Sequence, residues 1–377
     1  MERVPIAILG ATGTVGQKFI TLLHDHPYFR INELVASPRN AGKTYREACM
    51  WKQNILIPED IAKMTIKTTD TPLTSTILFS GLDSSVAGKV ERRYAEEGHI
   101  IISNSTNYRM DPRVPLVIPE INPDHFALLA EQEWPGAIIT NSNCSTMFMA
   151  MALAPIEETF GITAVQVTTM QAISGAGYPG VPSYDIIGNV IPYIGGEEEK
   201  MEEESQKILG TLTGSRIENA SFAVSAQCNR VPVVDGHTET LSIALRDKAS
   251  PEDVIRVMKS FRGMPQKMKL PSAPENPLVI LEDRDRPQPA RDVWLENGMA
   301  TIVGRVRECP VLDIRMVVLG HNTIRGAAGA AILNGEAIYK LGLLGDNPCK
   351  GIDIQEMKKR AAALHETHEV ICQSTSA

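Results

Sequence analysis

The chain has 377 residues, 43% apolar and 22% charged, enough for a large core and, at ~100–200 residues per domain, for two domains. Its 37 basic and 45 acidic residues leave a net charge of -8 without a Lys/Arg cluster, which argues against a nucleic-acid partner. The cysteines at 49, 144, 228, 309, 349 and 372 show no CxxC pair or metal-ligand spacing, no apolar run nears the roughly 20 residues of a membrane span, and the first residues lack a signal-peptide core; the expectation is a cytoplasmic, metal-free protein with reduced thiols and no membrane partner.

Val4 to Leu9 is a short apolar run leading into Gly10-Ala11-Thr12-Gly13-Thr14-Val15-Gly16 and then the helical pattern Phe19, Ile20, Leu22, Leu23. Glycines at 10, 13 and 16 between a strand and a helix let the backbone turn tightly and bring free N–H groups to a pyrophosphate. The context is the one a dinucleotide-binding turn requires; a glycine turn kept only for packing is the plainer alternative. The next strand, Ile31 to Ala36, is followed by Ser37, Arg39 and Lys43 and by no acid. An acid there would bind a ribose 2′-hydroxyl, whereas an arginine suits a 2′-phosphate, so Ser37 and Arg39 favour NADP over NAD.

Ile77 to Ser80 and His99 to Ser103 read as further parallel strands with a helix from Ser84 to Gly98 between them. This alternation predicts a Rossmann-like, doubly wound parallel sheet with its ligand beyond the strand ends, where Ser80, Gly81 and the loop carrying Arg109 fall. Ala137 to Thr140 then leads into Asn141-Ser142-Asn143-Cys144-Ser145-Thr146 and a Met-rich helix. A cysteine at a helix N-terminus sits where the dipole stabilises a thiolate, and adjacent N–H groups can hold an oxyanion. A small buried hydrophobe is the competing reading of Cys144.

Beyond this helix the pattern predicts an α+β domain with a mixed or antiparallel sheet. Its strands are Thr163 to Met170, Val231 to Val234, His237 to Leu245 and Met316 to Leu319, its helices lie near Pro251 to Ser260 and Ile324 to Leu341, and Leu270 to Pro289 carries little regular structure. Glu197 to Glu204 reads as an acidic helix face, ordinarily only solvated.

The glycine turn at 10–16, Ser-Asn-Cys-Ser-Thr at 142–146, Thr169 to Gly180, Gly236-His237-Thr238-Glu239-Thr240 and Asn322 to Gly329 together resemble the aspartate-β-semialdehyde dehydrogenases, in the archaeal and fungal branch, over nearly the whole chain. The resemblance implies NADPH-dependent, reversible reductive dephosphorylation of β-aspartyl phosphate to the semialdehyde, in the route to lysine, methionine and threonine. It makes Cys144 the nucleophile, Gln171 the residue orienting the acyl group, and His237 an acid/base near its ordinary pKa. It also makes Arg230 the substrate carboxylate's partner, places Glu197 and Lys200 at the substrate amine and phosphate, and puts Arg109 and Asn143 on the phosphate side. Ser174, Gly175 and Asn322 fall on the cofactor side with Gly10, Thr12, Gly13, Thr14, Val15, Gly16, Ser80 and Gly81. By analogy, residues 1–143 and 322–377 form the NADP-binding domain, residues 144–321 the catalytic and oligomerisation domain, and the protein is a homodimer or homotetramer. Malonyl-CoA reductase, using the same cysteine chemistry, is the rival reading within enzymes. A non-catalytic NADP-binding sensor is the rival outside them; it would be expected to have lost Cys144, Gln171 or His237.

Overall fold

The computed structural model describes residues 2–344; the expectation for residues 345–377, with Cys349 and Cys372, lies outside the described residues. The first sheet contains β1 (Val4–Leu9), β2 (Phe29–Ala36), β3 (Ile66–Thr68), β4 (Ile77–Ser80), β5 (Ile100–Ser103) and β6 (Ala137–Thr140), in the order β3-β2-β1-β4-β5-β6 and all parallel. Its central strands are apolar at almost every position because helices cover both faces. Their order reverses at β1 and β4, so the two strands splay their connections apart and leave a crevice beyond their carboxyl ends. Helix α1 (Thr14–Leu23) leaves that crevice on one side and α2 (Ser84–Glu96) on the other.

The second sheet begins with β7 (Ile162–Gln171). A small hairpin, β8 (Thr211–Thr213) and β9 (Arg216–Glu218), stands apart, and β10 (Ala223–Arg230), β11 (His237–Leu245), β12 (Leu278–Leu281), β13 (Thr301–Glu308) and β14 (Ile314–Gly320) complete the sheet. The order β10-β7-β11-β14-β13-β12 is mixed: β10 runs parallel to β7 and β12 to β13, and the other pairs are antiparallel. On β7, Val165, Val167 and Thr169 are buried while Gln166 is exposed and Thr168 and Met170 are half-buried, the period-two alternation of a sheet with one covered face. The covering helices are α3 (Cys144–Phe160), almost wholly buried, α4 (Glu197–Ile208) and α5 (Pro251–Ser260).

Two expectations are corrected. The strand expected at 231–234 lies one step earlier, at Ala223–Arg230, because Pro232 and the turn before Gly236 interrupt pairing there; and the excursion at 270–289 carries a real edge strand, β12, whose four residues Leu-Val-Ile-Leu pair with β13. The C-terminal segment passes through a π-helical turn, Ile324–Ala328, into α6 (Gly329–Lys340). Ala331, Ile332 and Leu333 then share a core with Ile6 and Phe79 of the first sheet and Phe19 of α1. The chain thus visits the mixed sheet and comes back, carrying both its early and late segments to one crevice.

Candidate active site

Asn143 is the N-cap of α3, and its side-chain oxygen accepts from the N–H groups of Ser145 and Thr146 at 2.9 and 3.2 Å. This satisfies two donors of the first turn and fixes Cys144 as its first residue. The Asn143 amide nitrogen is held in turn by Glu197 Oε2 at 2.7 Å, and its backbone N–H donates to Glu204 Oε2 at 2.6 Å. The other oxygen of Glu204 accepts from Arg109 Nη1 at 2.9 Å, and Arg109 Nη2 donates to the carbonyl of Asn104 at 2.6 Å. Lys207 donates to three carbonyls of the same loop, those of Arg109, Asp111 and Val114, at 2.6–2.9 Å; burial pulls its ammonium down to about 8. Residues 197, 200, 204 and 207 lie on one face of α4. That face therefore ties the cysteine turn to the loop after β5. The sequence reading missed Glu204 and Lys207 because an acidic helix face usually points to water, yet both are buried.

Glu197 Oε1 takes Lys200 Nζ at 2.8 Å, and Oε2 also takes Gln171 Nε2 at 3.3 Å. Burial opposes ionisation of Glu197, but the Lys200 charge and the donors Lys200, Asn143 and Gln171 outweigh it and hold the carboxyl below its ordinary value. Glu198 instead accepts from the N–H of Cys228 at 3.0 Å, and Glu199 is exposed, so the neighbours of Glu197 in the acidic run face elsewhere.

Across the cleft, Arg230 Nη1 donates to the Ala172 carbonyl at 2.8 Å, and His237 Nδ1 accepts from the Ala172 N–H at 3.0 Å. The neutral ring therefore carries its proton on Nε2. A Cβ on Gly175 would lie 2.8 Å from Arg230 Nη1 and 2.9 Å from His237 Cε1, so only glycine lets this loop close over the pair. Gly326, in the π-helical turn, plays the same part for Cys144: a Cβ there would sit 2.7 Å from that of the cysteine.

Two electrostatic expectations meet surroundings that work against them. Burial, with the Glu197 charge second, pushes the Cys144 thiol up to about 12 against the opposing pull of Arg109 and Arg230, so the helix dipole alone does not deliver a thiolate. Burial, then the charges of Arg230 and His321, lowers His237 to about 3, so the ring is neutral through the whole physiological range instead of poised near 6.5.

One cleft of about 420 Å³ is lined by Thr14, Val15, Arg109, Asn143, Cys144, Gln171, Ser174, Gly175, Glu197, Lys200, Arg230 and Asn322 together. Asn322 accepts from the Gly236 N–H at 2.9 Å and donates to Ser174 Oγ at 2.8 Å, fixing the two loops at its rim. Toward the crevice, Gly10 has φ +76°, and a Cβ there would lie 2.7 Å from the Gly81 carbonyl; one on Gly16 would lie 2.2 Å from that of Gly10. Gly13, the N-cap of α1, brings no capping side chain, which leaves the first N–H groups of α1 to an anion such as a pyrophosphate. This turn fits a dinucleotide. Thr12 is half-buried in it, and Ser37 and Arg39 are exposed beside it at the end of β2. Ser80 needs correction: it is fully buried, and its hydroxyl, like that of Ser103, donates to Glu91, at 2.6 and 2.7 Å, so it has none to offer a cofactor.

Among the described residues no His, Cys, Asp or Glu cluster could hold a metal ion, and no helix is long and apolar enough to cross a membrane. Residues 5–129 match the family model described as the NAD-binding domain of semialdehyde dehydrogenases, and residues 153–325 match that of their dimerisation domain. The aspartate-semialdehyde dehydrogenase of Methanothermobacter thermautotrophicus is 49% identical over 90% of this chain and 99% of its own. The Schizosaccharomyces pombe enzyme of the same name is 48% identical over 90% and 99%. The crystal structure of the Candida albicans enzyme with NADP superposes with a TM-score of 0.84 at 41% identity, covering 90% of this chain and 99% of that one.

Proposed function

Because the chain belongs to the aspartate-semialdehyde dehydrogenase family, we propose that its cleft divides the family reaction among the residues just described. The reaction is the reversible, NADPH-dependent reductive dephosphorylation of β-aspartyl phosphate to aspartate β-semialdehyde, a step toward lysine, methionine and threonine. The observation that carries the division is the convergence of Cys144, Gln171, Glu197, Lys200, Arg109 and Arg230 with the α1 turn on one cleft.

In the biosynthetic direction the Cys144 sulfur bonds to the acyl carbon as the C–O bond to phosphate breaks, the thiol proton leaving with the departing phosphate, and a thioester remains. When bound along the glycine turn, NADPH supplies the hydride for its reduction. His237, neutral and protonated on Nε2, offers a hydrogen bond to the acyl oxygen; the alkoxide of the thiohemiacetal is held there until it collapses to aldehyde and expels the thiolate. Arg230 grips the substrate carboxylate with a planar fork of donors, and Glu197 takes the ammonium. Lys200, Arg109 and Asn143 stand on the phosphate side, and Gln171 orients the acyl group. Residues 1–143 and 322–377 serve the cofactor and 144–321 the chemistry and subunit contact, and the protein works in the cytoplasm as a homodimer or homotetramer that prefers NADP to NAD.

The test is a reverse-direction assay of purified protein with aspartate semialdehyde, phosphate and NADP. Cys144→Ala is expected to abolish turnover while NADP binding stays intact. Removing one partner of a buried charge pair costs ~2–5 kcal/mol, so Glu197→Ala should lower efficiency at least about thirtyfold, and Glu198→Ala should change it little. Faster reduction of malonyl-CoA than turnover of the aspartyl substrate would overturn the assignment.

A further inference from the structure

Two residues to which opposite substrate charges have been assigned grip one another. Lys200 Nζ donates to Glu197 Oε1 at 2.8 Å, while Glu197 Oε2 is filled by Asn143 Nδ2 at 2.7 Å and Gln171 Nε2 at 3.3 Å. An incoming ammonium therefore finds one oxygen within reach, and a second ammonium is already on it. Like charges sharing one largely buried acceptor repel more strongly than they would in open solvent.

The partners are not equally fixed. Asn143 and Gln171 are both buried, and Asn143 is the N-cap of α3. The Glu197 side chain is 11% exposed and that of Lys200 28%. No carboxylate other than Glu197 pairs with Lys200 among the described residues. Arg109, by contrast, is committed to Glu204 and to the Asn104 carbonyl. Lys200 is thus the one cation of the phosphate side that can change partner, and it lines the same cleft as Arg109, Asn143 and Cys144.

We propose that the substrate ammonium displaces Lys200 from Glu197 and that the released Lys200 completes the phosphate site beside Arg109. This rests on the residue roles proposed above and adds a coupling between them: the amine is read not only by affinity but by whether it unlocks the second cation for phosphate. Linkage makes the effect reciprocal, so phosphate tightens amine binding by the same factor. An acyl group without an α-amine, such as a malonyl group, would leave Lys200 on Glu197 and meet a phosphate site with one cation fewer.

Calorimetric titration of inorganic phosphate into the NADP-loaded protein tests this, with and without saturating L-2-aminobutyrate, which is the substrate with a methyl group in place of its aldehyde. Butyrate, which lacks the amine, is the control. The phosphate Kd is expected to fall at least about fivefold with aminobutyrate, to stay unchanged with butyrate, and to lose the response in Lys200→Met. An equal fall with both ligands, a fall that survives in Lys200→Met, or no fall would overturn the exchange. The residue roles are checked separately by aminobutyrate affinity. If wild type and Glu197→Gln bind it equally, the ammonium assignment itself fails; if Glu197→Gln binds it more weakly while phosphate stays unmoved, the exchange alone fails.

Discussion

His237 shows what a single residue's surroundings do to a reading made from residue type. Its ring is fully buried at the first position of β11, with Arg230 hydrogen-bonded to the same residue, Ala172. The folded pKa of about 3 lies below the ordinary 6.5, so between those values the unfolded chain binds more protons. Stability from this group is present above pH 6.5 and is lost as pH falls toward 3. At 1.36 kcal/mol per unit, wild type should lose about 2 kcal/mol between pH 7 and pH 5 that His237→Gln does not, read from urea midpoints at the two pH values. Cys144 behaves in the opposite sense: with its thiol at about 12, alkylation by iodoacetamide should keep accelerating through pH 10, and Glu197→Gln should shift that rise downward. Nothing in the segment Ser142 to Thr146 announces this, because burial and a carboxylate 53 positions away in the chain set the value. The role proposed for Arg39, contact with the cofactor 2′-phosphate, rests on the sequence alone, on its place just after a strand. Its removal should reduce NADP preference about tenfold to hundredfold, with NAD use nearly unchanged in parallel kinetics.

At the scale of elements, strands and helices with a regular apolar period were legible, and contacts between elements were not. The alternation along β7 and the strand–turn–helix at Gly10 to Gly16 rest on local patterning. The role of α4 does not, since its acidic residues make sense only once Arg109 and the Asn143 N–H are beside Glu204. In Glu204→Gln, an amide with one acceptor oxygen would face two donors. It is expected to lose at least about thirtyfold in kcat/KM, with the phosphate KM raised more than that for aspartate semialdehyde; equal effects on both would mean that Glu204 supports only the fold. The strand expected at 231–234 failed for a related reason: Val-Pro-Val-Val has the composition of a strand, but Pro232 has no N–H to donate to a ladder.

Among the described residues, nothing covers one face of the mixed sheet. Gln166, Gln227 and Thr240 are exposed on it and Thr168 is half-buried, with Thr240 paired to Thr168 across β11 and β7. This is the face we assign to subunit contact. Thr168→Glu with Thr240→Glu would set like charges against their symmetry mates, and sedimentation should report a smaller species at the same concentration. The active site is equally a property of the whole. Its parts run from the Gly10 turn through Cys144 and Glu204 to Gly326, whose missing side chain makes room for Cys144. On a ribosome, the cysteine emerges long before the residues that give it a carboxylate, a histidine and space. Until residue 326 of 377 has been added, the nascent chain carries the thiol without the enzyme, and a prematurely terminated product cannot consume acyl phosphate.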